Sequence, residues 1–107
     1  MNMWEEIKKL NGQTLRTLAQ KKPFDILDVT EHAVLICLQE TQTPRPISRD
    51  EIENAHRHLA STGQTTRTEI REKFSEYNPA YVAAILAELP NVQHSARPIK
   101  LWITNKA

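Results

Sequence analysis

Only two glycines, Gly12 and Gly63, occur in the 107 residues. A glycine-rich phosphate loop or a dinucleotide-binding fingerprint needs several glycines within one turn, so both are excluded. A single cysteine, Cys37, rules out an internal disulfide and suits a reducing cytoplasm. No stretch approaches the roughly 18 consecutive apolar residues of a membrane span. The opening MNMWEEIKKL is amphipathic and charged, unlike the apolar core of a signal peptide. The expectation is a soluble cytoplasmic protein with no membrane partner. Charge of one sign is lacking too: 14 Lys and Arg stand against 13 Asp and Glu, a formal net charge of +1. Any preference for an anionic partner must therefore come from local clustering.

What is present fits one domain, because a chain of this length with 39% hydrophobic residues can bury one core but hardly two. Within it, residues 1–47 read as a helix followed by antiparallel strands, and residues 48–107 as three helices and a closing strand. Trp4, Ile7 and Leu10 recur at helical spacing and Asn11-Gly12 ends that helix. Residues 13–19 alternate loosely, as a strand does, and a helix also fits there. FDILDV and AVLICLQ are rich in β-branched and aromatic residues, and the short TEH between them suits a hairpin. Val34, Ile36 and Leu38 face one way and Leu35 and Cys37 the other, both apolar, which predicts a central strand. TQTPRP, with two prolines two apart, reads as a crossing loop.

Ser48 and Glu51 have capping-box spacing, and Gly63 is placed to end the helix that they open, whose stripe is Ile52, Ala55 and Leu59. Thr66 and Glu69 repeat that spacing ahead of Ile70 and Phe74. Asn78 before Pro79 reads as a cap and a first helical residue. The helix that follows turns Tyr81, Val82, Ile85, Leu86 and Leu89 inward and stops before Pro90. Ile99, Leu101 and Ile103 alternate with Lys100, Trp102 and Thr104 as in a half-buried strand. The fold class is α+β: a small antiparallel sheet, made of a β-meander plus the C-terminal strand, packed with a three-helix unit and a short N-terminal helix.

The three helices, the short turn between the second and third, and the closing strand resemble the winged helix-turn-helix domains of DNA-binding regulators over about residues 48–104. Thr66-Arg67-Thr68-Glu69-Ile70 matches the T-x-x-E-[IL] pattern of that family's second helix. Val82, Leu86, Leu89 and Val92 match the third helix and the entry to its wing. The strands before residue 48 fall outside the resemblance. It implies a regulatory protein that binds duplex DNA. Arg67, Arg71 and Lys73, Asn78, and His94, Arg97 and Lys100 on the tail are the candidate nucleic-acid-binding residues, with Lys106 extending the cationic tail. No acidic residue occurs from Pro90 to Ala107. The same pattern would serve a solvated edge strand. The outward side of the third helix offers Asn78, Ala80, Ala83, Ala84, Ala87 and Glu88, none of them basic. Alanines can contact a thymine methyl in a groove, but such a face more often means close packing against another helix, a sheet or a second protein chain. The last gives a protein partner or a homodimer through Ala80, Ala83, Ala84 and Ala87.

Catalytic and metal-binding constellations fail on spacing. His56 and His58, two apart on a helix, diverge, and read as surface histidines. Glu53-x-x-His56 lacks the second arm that a carboxylate-bridged di-iron site needs. Asp25 and Asp28 lack the lysine on the next strand that would make a nuclease pair. Cys37 sits between Ile36 and Leu38 with no activating charge, as a small buried hydrophobe does. No enzyme activity, cofactor or metal is expected. Two functions remain, a DNA-binding protein and a protein-interaction module such as an accessory subunit or an inhibitor.

Overall fold

The computed structural model describes residues 2–104, and Lys106 lies outside them. Helix α1 (Met3–Lys8) is followed by strands β1 (Thr14–Arg16), β2 (Pro23–Val29), β3 (Ala33–Leu38) and β4 (Thr43–Ser48). Helix α2 (Arg49–Thr62), strand β5 (Gln64–Thr66), helices α3 (Arg67–Lys73) and α4 (Pro79–Leu86), and strands β6 (Val92–Ala96) and β7 (Ile99–Ile103) complete the α+β chain. The strands form two antiparallel sheets, one in the order β1-β2-β3-β4 and one in the order β5-β7-β6.

The meander has the hairpin and the central β3 that the apolar pattern predicts, with Val34 and Ile36 fully buried. The C-terminal strand, however, does not join the meander. It is the middle strand of the second sheet, between a β6 and a three-residue β5 that periodicity missed. TQTPRP is also not a crossing loop. It enters β4, where Pro44 faces Cys37 and Pro46 faces Leu35 across the ladder. Prolines two apart share one orientation, so both can turn their missing N–H away from β3, a pattern only an edge strand tolerates. Strand β1 covers three residues, shorter than the 13–19 alternation suggests.

Helix α2 begins and ends where its signals lie. Ser48 accepts from the Glu51 amide, Glu51 accepts from the Ser48 amide, and Gly63 closes the helix at φ 86°. That left-handed turn favours a residue without Cβ. Arg49 anchors α2 to the N-terminal part: its guanidinium lies 4.8 Å over the Trp4 ring and binds Glu53 at 2.9 Å and the Glu31 carbonyl at 3.0 Å. Trp4, Phe24, Ile26, Ile47, Ile52, Leu59, Ile70 and Leu86 meet in one buried cluster, so α1, the meander and the helices share a core.

Helix α4 differs most from its sequence reading. Val82, Ala83, Ala84, Ile85 and Leu86 are all buried, and Ala80 and Ala87 are half-buried. The alanine face is therefore not an outward surface for a groove, a partner chain or a second copy. The helix packs on α2 and α3 and also on β1, and Tyr81 meets Phe24 of β2 edge-to-face at 5.1 Å. A helix apolar all round belongs in the interior.

Candidate functional site

Asn78 stands at the N-cap of α4 with Pro79 after it, but its side chain makes no bond to the first turn. It is buried, with Oδ1 accepting from Arg45 Nη1 at 3.3 Å and Nδ2 donating to Glu51 Oε1 at 3.4 Å. Glu51 also accepts from the Ser75 hydroxyl at 2.5 Å and from the Ser48 amide at 2.9 Å. One carboxylate thus closes the α2 cap and ties the α3–α4 loop to it, while Asn78 passes the link to Arg45 on β4. Burial pushes the Glu51 carboxyl up, but its bonds from Ser75, Ser48 and Asn78 outweigh that, and the net shift is downward from 4.5. A lowered folded-state value means that the stabilisation is present above the unfolded value and is lost as pH falls through the folded one. Urea titrations between neutral pH and about pH 3 should show stability falling below 4.5, and falling less for Glu51→Gln. Parallel curves would show that this carboxylate carries no such linkage.

Arg45 opens onto a cleft of about 440 Å³ between the two parts of the chain. The turn after β1 contributes Thr17, Ala19, Gln20 and Lys22; the start of α4 contributes Pro79, Ala80 and Tyr81; and Arg67, Tyr77 and Ile99 complete the lining. The turn is fixed by Thr17, whose amide donates to the Lys22 carbonyl at 3.0 Å and whose hydroxyl accepts from the Lys22 amide at 3.0 Å. Arg97, at the tip of the β6–β7 hairpin, reaches the same turn, its Nη2 donating to the Ala19 carbonyl at 3.4 Å. Arg45 rests 5.5 Å from the Tyr81 ring centre and also donates to the Tyr77 carbonyl at 3.5 Å. Three cations line the cleft and a fourth adjoins it, while none of the lining residues is acidic. The nearest ion pair is Lys22 with Glu40 at 3.7 Å, exposed on both sides.

Of the residues singled out by sequence, Arg67 and Arg97 come to this cleft. Lys100 lies half-buried on β7 opposite Thr66 and Ser95, and His94 is exposed on β6 opposite Leu101. Arg71 shares a separate concavity with Glu72 and Glu76. Lys73 lies 3.9 Å from Glu69. Lys73 is thus paired much as Lys22 is with Glu40, and Arg71 lies beside two carboxylates away from the cleft. Asn78 is enclosed and can touch no ligand without rearrangement. Sequence reasoning missed Lys22, Arg45 and Tyr77, although the Lys21-Lys22 pair and the Arg45 flanked by prolines were visible.

The other candidates occupy structural places. His58 is half-buried rather than a surface residue, its ring tilted against Phe74 with centres 5.4 Å apart and bonded to Glu69 at 3.2 Å. His56 is half-buried as well; burial lowers its pKa from 6.5 against an opposing pull from Glu53. Asp25 accepts from Thr14 and Gln39, which hold its carboxyl below the usual value. Cys37 is half-buried on the outer face of the meander, outside the core. Among the described residues, no group of three or more His, Cys, Asp or Glu could hold a metal ion, and no helix is long and apolar enough to cross a membrane. No protein-family model matches the chain, and no curated protein or solved structure is significantly similar to it.

Proposed function

We propose that this protein binds nucleic acid through its phosphates, with the cationic cleft and the adjoining β6–β7 hairpin as the contact surface. The observation that carries this reading is the cleft itself, where Lys22, Arg45 and Arg67 converge from three distant segments on a lining without a carboxylate. Convergent cations supply the sequence-independent part of nucleic-acid affinity. The order α2-β5-α3-α4-β6-β7, with β7 between β5 and β6, supports a winged-helix-like arrangement with the hairpin as its wing. The enclosed α4 argues for a mode of binding in which this helix does not enter the groove. Duplex DNA is the first ligand to test.

If Lys22, Arg45, Arg67 and Arg97 each meet a phosphate, about four counterions leave on binding. Duplex affinity should then fall with salt at a log–log slope of roughly −3 to −4. Arg71→Ala should change that slope less than Arg67→Ala does, because Arg71 lies away from the cleft, in a concavity shared with Glu72 and Glu76. Fluorescence anisotropy across a salt series measures both. Affinity indifferent to salt would rule the reading out.

A second reading, a protein-interaction module, has one observation in its favour. Leu27 stands 48% exposed at the bulge of β2, with Leu35 and Cys37 half-buried on β3. Those side chains, and not the α4 alanines, would carry a protein contact.

A further inference from the structure

The cleft holds a feature that phosphate binding alone does not use. Tyr77 lines it with 78% of its surface exposed, in the loop between α3 and α4. A large aromatic ring is costly to leave in water, and the residues around it hold the loop firmly. Ser75 is buried and bonded to Glu51, Asn78 is buried between Glu51 and Arg45, and the Tyr77 carbonyl accepts from Arg45. The Tyr77 backbone is therefore fixed at a cleft whose lining also includes Arg45 and Arg67, and its ring is left largely exposed. Tyr81, by contrast, spends its ring on Phe24 and Arg45.

We propose that the cleft is a site for one nucleotide unit of an unpaired strand. Its phosphate is held by Arg67 and Lys22, and its base stacks on the ring of Tyr77. An exposed aromatic beside cations is how proteins grip single strands without reading sequence, since every base has a face to stack. A duplex keeps its bases stacked on one another and offers the cleft phosphate only. The volume, about 440 Å³, falls in the range of small-ligand sites. This inference rests on the nucleic-acid reading and adds to its phosphate contacts a second contact that only strands with unpaired bases can make.

The test compares a labelled oligothymidylate, an abasic strand of equal length and a duplex, each titrated by anisotropy against wild-type protein, Tyr77→Ala and Tyr77→Trp. Tyr77→Ala should weaken oligothymidylate by roughly tenfold or more, while leaving the abasic strand and the duplex unchanged. Tyr77→Trp should retain oligothymidylate binding, because it keeps an aromatic face. Tyr77 is exposed, so both variants should melt as the wild type does. Equal loss on the abasic strand, or no loss on oligothymidylate, would overturn the inference while salt-dependent duplex binding kept the broader reading intact. Absence of binding to all three ligands would remove both. Thymidine monophosphate serves as competitor at equal nucleotide concentration. Displacement as complete as that by unlabelled oligothymidylate would make a free nucleotide the ligand and overturn the strand; weak displacement supports it.

Discussion

Ala84→Glu is expected to unfold the protein, not to impair a surface. Ala84 is 2% exposed on a helix enclosed by α2, α3 and β1, so the new carboxylate would be buried without a partner and the larger side chain would meet packed neighbours. An unpaired buried charge costs about 3–5 kcal/mol or more. A domain of this size has only about 5–15 kcal/mol of stability in total. Circular dichroism should show a melting transition that is strongly lowered or lost. Ala60→Glu, exposed on α2, should stay within about 0.5 kcal/mol of the wild type. A stable Ala84→Glu variant that had merely lost DNA binding would mean that α4 is an open recognition helix after all.

The second large effect is expected at Leu86, fully buried at the end of α4 in the shared core. Leu86→Ala should cost roughly 2–5 kcal/mol, combining lost burial with the cavity that remains. Chemical denaturation should show a lower midpoint with an unchanged slope. Because the cluster joins α1, the meander and the helices, one transition should be lost as a whole. A change near zero would place Leu86 outside the core.

The parts of the fold legible in the sequence were those whose signals are local. Ser48, Glu51 and Gly63 bounded α2 because capping chemistry is read within one turn. FDILDV and AVLICLQ gave the hairpin because a half-buried strand alternates within a few residues. Three kinds of feature stayed hidden. QTT formed β5 through pairing with β7, far along the chain, and three polar residues carry no period. The prolines of β4 looked like breakers because edge position is a property of the sheet and not of the segment. The α4 alanines left groove insertion and close packing both open, and the structure takes the packing side, as a segment such as YVAAIL with almost no polar side favours. Asn78 was only half legible: its cap position was visible and holds, but its distant side-chain partners Glu51 and Arg45 were not. The cleft was the least legible, since residues 17–22, 45, 67 and 77–81 meet only after both parts of the chain have packed. Charge clustering along the chain singled out Arg67 and Arg97, which lie at the cleft, together with Arg71 and Lys73, which lie away from it near carboxylates.

The central claim is that the cleft, and not α4, carries the contact with nucleic acid. The salt dependence of duplex-DNA affinity for the double variant Lys22→Ala/Arg67→Ala tests it most directly. Both residues line the cleft and both are exposed, so the fold should be retained. The slope should become less steep by about two relative to the wild type, with affinity weakened alike on unrelated sequences. A double variant that binds duplex DNA with wild-type affinity and wild-type slope would contradict the claim.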